Sequence, residues 1–575
     1  MKRILKYMRG YGKECVLGPL FKLLEASFEL MIPLVVAQIV DVGIGNGDRG
    51  YIVKMCLLMV GLGIVGLASA VTAQYFAAKA AVGFAARIRS ALMQKFLGLS
   101  YTQMDQLGTS TMVTRMTSDV NQVQNGINLT LRLLLRSPFV VFGAMIMAFT
   151  IDAQAALVFV GVIPVLCLVV FGIMLITMPM YKKVQARLDR VTSATRQNLA
   201  GVRVLRAFCK EDSEVRDFSD KTQALADSQL SAGRISAVMN PLTFAIINIA
   251  IVLLIHVGAL KVHSGLLTQG MVIALYNYMS QILVELIKMA NLIITITKAV
   301  ACAQRIGAVI ELDTASDGRG SHENVIRGAV EFRDVSVQYA GASADSLERI
   351  SFRAEPGQTI GIIGGTGAGK TSLVNLIPRL YSASCGQVLI DGINVEEMDP
   401  KILRRQIGIV PQKPVLFRGT IRENLRWGRE DATDDDLWQA LEIAQGREVV
   451  KDKTGELSAM VEQGGANLSG GQRQRLTIAR ALVRQPRILI MDDSASALDY
   501  ATDARLRMAI RGMQHPPTTF IVSQRAASVR YADLILVLDD GQLVGCGTHS
   551  ELLENCSVYQ EIYYTQFQKE VCADD

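Results

Sequence analysis

The chain has 575 residues, too many for one ordinary domain and enough for two or three. It is 50% hydrophobic and 19% charged, with a mean hydropathy of +0.29, whereas a soluble globular protein carries about 25% charged residues. A membrane part is therefore expected, and a net charge of +6 from scattered basic residues gives no footprint for nucleic acid.

The start, MKRILKYMRGYGKE, is basic and is not followed by a small-residue cleavage site. It reads as an amphipathic helix on the cytoplasmic membrane face rather than a cleavable signal. Six spans follow, at about residues 16–40, 55–78, 137–151, 153–180, 235–260 and 271–296. The second, fourth and fifth carry no formal charge. The first is interrupted by Lys22, Glu25 and Glu29, and the sixth by Glu285 and Lys288. The third is expected to extend backwards through Arg132 and Arg136 into an aqueous region. The nine cysteines include no CxxC and no Cys/His pair at zinc spacing, so they read as isolated thiols.

Lys2, Arg3, Lys6, Arg9 and Lys13 precede the first span and place the N-terminus in the cytoplasm. The links on the far side are then short. Those on the cytoplasmic side, 79–136 and 181–234, are long and rich in helix formers. Neither has a hydrophobic core of its own, so continuous helices extending the spans fit better than inserted globular domains. Their turning points are expected near 108–116 and 204–212.

Residues 311–328, rich in Gly, Ser and Asp towards their end, read as a linker between a transmembrane domain (1–310) and a second domain (329–575). In the latter an apolar strand, Thr359 to Ile363, runs into Gly364-Gly365-Thr366-Gly367-Ala368-Gly369-Lys370-Thr371 and then, from Ser372, a helix. This satisfies G-x-x-x-x-G-K-[ST] in its strand–loop–helix context. Glycines let backbone N–H groups close around phosphates, Lys370 would neutralise the β- and γ-phosphates, and the Thr371 hydroxyl would ligate Mg²⁺. A second apolar strand, ILIM, ends in Asp492 and Asp493. The first of these acids would hold Mg²⁺ and the second would activate water.

Between the two stands Leu468-Ser469-Gly470-Gly471-Gln472. With these residues the chain resembles the ATP-binding cassette (ABC) transporters, and its organisation is similar to that family's exporters over essentially its whole length. The resemblance implies an all-α six-helix transmembrane domain followed by an α/β P-loop nucleotide-binding domain, with ATP and Mg²⁺ as cofactors. It further implies roles for Tyr339 (stacking on adenine), Gln412 (sensing Mg²⁺ and nucleotide), Glu462 (contacting the transmembrane loops) and Asp499 (facing a partner domain). It implies an integral membrane protein, expected in a bacterial plasma (inner) membrane with the ATP-binding domain in the cytoplasm. The loop tip around Ala207 and Phe208 is expected to meet the partner's domain, a contact that the exporters swap.

Two positions depart from the family pattern. Asp493 stands where the catalytic glutamate is expected, and Gln524 where a histidine would contact the γ-phosphate. Removing one methylene withdraws the carboxylate by roughly 1 Å, a displacement that can cost ~10²-fold in rate. Gln524 can donate a neutral hydrogen bond but carries no charge. The binding residues and LSGGQ are intact, so the pattern resembles the degenerate half of a heterodimeric exporter. This chain would bind ATP, turn it over slowly, and lend LSGGQ to a second half-transporter with a true Glu and His. The alternatives are a homodimer with two slow sites, a homologue importing a metal chelate or haem, and an ATP-gated channel. A soluble cassette protein is excluded by the six spans. For the translocation path, Glu285 either pairs with Lys288 or, with Tyr276, Asn277, Tyr278 and Gln281, lines a polar–aromatic wall. Such a wall suits small amphipathic or cationic molecules, and also admits lipids and peptides.

Overall fold

The computed structural model describes residues 4, 6–313, 325–339, 341–494 and 498–567. Most of the expected linker (314–324) and Ala495 to Ala497 lie outside the described residues. The chain divides into two compact units, Met1–Lys95 with Ser110–Leu312, and Phe96–Thr109 with Asp313–Asp575.

The first unit is helical. Its six apolar helices are α1 (Gly12–Ile44), α2 (Arg49–Leu97), α3 (Thr109–Ile151), α4 (Ala153–Ala200), α5 (Glu211–His263) and α6 (Gln269–Glu311). Those from α2 onwards have 43 to 53 residues. At 1.5 Å per residue they reach about 65–80 Å, more than twice the ~30 Å bilayer core, so both long links continue as helix. The second link turns through a short helix, Val202–Ala207. The first turns at the start of the expected stretch 108–116: Ser100 caps a helix at Tyr101–Leu107, Gly108 (φ +70) ends it, and 109–116 is already helical. The break falls at the residue that can take a positive φ. Of the basic start, where an amphipathic helix is expected, residues 1–3 and 5 lie outside the described residues; 6–8 form a 3-10 turn and the first long helix begins at Gly12.

Helices α1, α3 and α6 pack together around Ala144, Phe159, Leu275 and Met279, with α4 and α5 completing the core. Arg136 corrects the sequence reading: it is 6% exposed instead of lying in water. Its guanidinium joins Glu29 of α1, at 2.5 Å, to Glu285 of α6. Ser137 donates to the other Glu285 oxygen at 2.8 Å, and Lys288 to the first at 2.9 Å. Buried charge is tolerated here because each carboxylate meets a cation.

The second unit is α/β. Its strands are β1 (Val330–Val337), β2 (Leu347–Ala354), β3 (Thr359–Gly364), β4 (Cys385–Ile390), β5 (Ile393–Asn394) and β6 (Ile407–Val410). They continue with β7 (Gly419–Thr420), β8 (Met460–Val461), β9 (Ile488–Asp492), β10 (Thr518–Val522), β11 (Leu534–Asp539) and β12 (Gln542–Gly547). The main sheet has the order β12-β11-β3-β10-β9-β6, parallel except at β12, and an antiparallel sheet runs β2-β1-β4-β5. Every residue of β3, β9 and β10 is buried, as strands covered on both faces must be. The carboxyl ends of these three adjacent strands bring three loops together, the position at which open parallel sheets bind ligands.

Candidate nucleotide site

β3 feeds the phosphate loop and then α7 (Lys370–Leu376). Gly369 sits at φ +87, and a Cβ there would lie 2.6 Å from the Ser346 carbonyl oxygen. Gly367, at φ +89, has open space where a Cβ would be. The loop is therefore a curled backbone with room beside it, which suits a bulky anion. Lys370 reaches back along it, donating to the carbonyls of Gly364 (2.9 Å) and Gly365 (2.5 Å). Burial lowers its pKa, an effect opposed by the nearby Asp493 and Asp492 carboxylates. A phosphate would give this desolvated ammonium stronger, charged acceptors than two carbonyls.

β9 delivers Asp492 opposite α7, and the Thr371 hydroxyl donates to its two oxygens at 3.1 and 3.0 Å. Burial raises the Asp492 pKa and Asp493 adds to this, while Thr371 and Lys370 oppose it. A divalent cation between Thr371 and Asp492 would relieve both burial and the like charge. The donor set, hydroxyl and carboxylate, is the oxygen chemistry Mg²⁺ prefers. The residues present thus fit ATP·Mg²⁺, the nucleotide supplying the transferable phosphoryl group.

Thr366, Gly367, Gly369, Lys370, Thr371, Ser372, Gln412, Asp492, Asp493 and Gln524 surround one cavity of about 260 Å³. Gln412 Nε2 lies 3.4 Å from Asp493 Oδ2 and donates to it. Asp493 has φ +45, and its N–H donates to Val522 O at 2.9 Å. Asp is one of the few side chains enriched in that conformation. Gln524 follows β10 with its side chain exposed. Gly364, Gly365 and Ala368 form the base of the loop, Ala368 being buried. Tyr339 stands beside α7: its hydroxyl donates to Ser372 Oγ at 2.9 Å and its ring meets that of Tyr381 edge-on, 5.2 Å between centroids.

The remaining sequence-predicted residues are not among those lining this cavity. Ser469 caps α8 (Gly470–Val483) in a reciprocal box with Gln472, at 3.3 and 3.0 Å, above the buried Leu468. The N–H groups of Gly470 and Gly471 open the first turn of α8, where helix donors lack internal partners. Asp499 caps α9 (Tyr500–Arg511), accepting from the Thr502 N–H at 2.8 Å and its hydroxyl at 2.9 Å. In the helical unit Tyr276 is exposed, Asn277 and Gln281 are half-buried, and Glu285 is buried with the Lys288 pairing present.

Sequence reasoning missed two contributors. Gln566, in α10 (Ser557–Gln566), grips the loop after β10: its Nε2 donates to Gln524 O at 2.7 Å and its Oε1 accepts from Ala526 N–H at 2.8 Å. Tyr381 joins Tyr339 to the segment 96–109: its hydroxyl donates to Asp105 at 2.7 Å and its ring lies 5.8 Å from that of Tyr101. No local pattern marks either residue, because both act through contacts distant in sequence.

A phosphate loop, an acidic strand and six helices long and apolar enough to span a bilayer define an integral membrane protein with an α/β nucleotide-binding domain. The ABC transporter transmembrane region family matches residues 15–286, and the ABC transporter family matches residues 347–496. Over 99% of its length the chain is 35% identical to 99% of YfiB of Bacillus subtilis, an uncharacterized ABC transporter ATP-binding protein. A similar likeness, 35% over 98% of this chain and 97% of the other, links it to the uncharacterized ABC transporter ATP-binding protein Rv1273c of Mycobacterium tuberculosis. The ATP-dependent lipid A-core flippase of Vibrio vulnificus is 26% identical over 98% of this chain and 97% of its own. The chain belongs to the ABC transporters and has the fold of their exporters, a family that couples ATP hydrolysis to transport.

Proposed function

We propose that this chain is one half of a heterodimeric exporter, binding ATP·Mg²⁺ in a slow site and completing the fast site of a different partner. The observation that carries this reading is the make-up of the cavity. Lys370, Thr371 and Asp492 converge there with Asp493 and Gln524, and none of Leu468 to Gln472 lines it. A γ-phosphate held at Lys370 thus needs a second chain to close over it, and the start of α8 is available to close over another chain's nucleotide. Catalysis of phosphoryl transfer rests on positioning and charge stabilisation. Lys370 would hold the phosphates, Thr371 and Asp492 the metal, and Gln412 and Asp493 would orient water, the shorter acid doing so poorly. Asp499 and Glu462 would face the partner.

The partner carries an intact Glu and His. The N-terminus and the cassette lie in the cytoplasm, and the membrane is a bacterial plasma membrane. The exported molecule is a small amphipathic molecule, a lipid or a peptide; the flippase among the relatives favours a lipid. Tyr276, Asn277 and Gln281 line its path, while Glu285 holds α1, α3 and α6 together. Nucleotide trapping in the assembled complex is the test. Nucleotide retained at Lys370 long after the partner's site has turned over supports the reading, and equal release from both sites refutes it.

A further inference from the structure

The loop that carries Gln524 is gripped by Gln566 of α10, and α10 in turn is seated on a histidine. His549 opens a short helix, His549–Asn555, capped by Thr548. Its Nδ1 lies 2.8 Å from the hydroxyl of Tyr559, a fully buried side chain of α10. The His549 ring also meets that of Tyr563, 5.1 Å between centroids, and Tyr563 meets Phe567 at 4.7 Å. Tyr559, Tyr563 and Gln566 stand at i, i+4 and i+7, one face of the helix. One end of that face touches His549, and the other holds the Gln524 carbonyl and the Ala526 N–H. Gln524 lines the nucleotide cavity.

The hydrogen bond between His549 and Tyr559 has a direction. Burial pushes the Tyr559 hydroxyl up to about 12, with Tyr563 adding and Arg530 opposing, so it stays protonated at neutral pH. That buried O–H needs an acceptor, and neutral His549 supplies one at Nδ1 while carrying its own proton on Nε2. Protonated, the ring has two donors and no acceptor. Nδ1–H would then claim the Tyr559 oxygen and leave the phenol proton unpaired within the hydrophobic core that Tyr559 joins. The charged and titratable groups around His549 are Tyr559 and Tyr563 on α10, Arg530 ahead of β11, and Glu551 on its own helix. Glu551 is held by the Thr548 N–H and hydroxyl, at 2.7 and 2.9 Å. Burial first and the Arg530 cation second lower the His549 pKa. The stability that this site contributes is therefore present above the ordinary histidine pKa and lost as pH falls through the lowered one.

We infer that His549 and Tyr559 are positioning residues for the loop that carries Gln524, and that protonation of His549 loosens α10 and speeds the release of nucleotide held at Lys370. The inference rests on the reading of Lys370 as the ATP site and needs no particular partner chain. Neither residue lines the nucleotide cavity, so their effect runs through Gln566. Acidification shortens the life of the ATP-bound state.

The test uses the full-length chain in nanodiscs, loaded with a fluorescent ATP analogue and Mg²⁺. It is chased with unlabelled ATP at about pH 7.5 and about pH 5.5, either side of the ordinary histidine pKa. Release should quicken about fivefold at the lower pH, the worth of one hydrogen bond. His549→Asn keeps an uncharged acceptor beside Tyr559 and should release slowly at both. Any pH response of the nucleotide itself is the same in this variant, so the difference between the two chains is the readout. Gln566→Ala should release quickly at both, because the link to the loop is gone. Tyr559→Phe, which keeps the ring, should do the same. Melting temperatures without nucleotide show that each variant is folded. A pH response no larger than that of His549→Asn, or one that survives Gln566→Ala, would overturn the inference. Failure of the unaltered chain to bind the analogue at either pH, or binding that survives Lys370→Ala, would instead overturn the reading of the site itself.

Discussion

Gln412 donates to Asp493 across 3.4 Å, tying the loop after β6 to the acid that ends the β9 turn. The acid is thus oriented, although it is one methylene shorter than glutamate. Asp493→Asn should lower the ATPase of the assembled complex by less than tenfold, under about 1.4 kcal/mol of barrier. If this chain's LSGGQ completes the partner's site as proposed, Ser469→Ala or Gly471→Ala in this chain should cost more than tenfold. The ordering is decisive: if Asp493→Asn abolishes turnover while Ser469→Ala is tolerated, this cassette hydrolyses ATP in its own right.

Restoring the family pattern with Asp493→Glu and Gln524→His should raise ATPase without raising transport, because the clamp releases early. Position 493 has φ +45, a conformation in which Asp is enriched. Glu there should therefore also lower cassette stability, detectable as a fall in the melting temperature without nucleotide. Transport rising in step with ATPase would argue against a clamp.

Glu285 has three partners, Arg136, Ser137 and Lys288. Glu285→Gln leaves the Arg136 guanidinium with one carboxylate and should destabilise the helical unit by about 3–5 kcal/mol, the range for breaking a buried pair. Adding Lys288→Gln should not restore it, because Lys288 is the half-exposed member of the cluster. Thermal unfolding in nanodiscs measures both, and full rescue by the double replacement would show that Lys288 is the partner that matters.

Gln566→Ala removes two hydrogen bonds that hold the loop carrying Gln524. At ~1 kcal/mol per bond the cassette should lose about 1–2 kcal/mol. Nucleotide release at Lys370 should quicken relative to the partner's site. Unchanged release would mean that the loop is held by its other contacts.

Tyr381→Phe breaks the hydrogen bond to Asp105 and keeps the ring beside Tyr339. Nucleotide affinity should stay within twofold while substrate-stimulated ATPase falls. A parallel loss of affinity would assign Tyr381 to the nucleotide instead of to the segment 96–109.

The elements with local periodicity were legible in the sequence. Uncharged runs longer than about 20 residues specify spans, because each charge in a bilayer is costly. The phosphate loop, LSGGQ and the acidic strand are contiguous motifs whose spacing alone defines their backbone shapes. Gly108, at which the first link turns, opens the stretch 108–116 where the sequence places that turn.

Tertiary structure decided what depends on residues remote in the chain. Arg136 looked like a water-facing residue until α1 and α6 brought Glu29 and Glu285, 107 and 149 positions away, into contact with it. Gln566 lies 42 positions from the loop it holds. Periodicity and short motifs report energies that act within a few residues of chain. Charge pairing and surface complementarity act through space, and only the folded backbone says which charges share a neighbourhood.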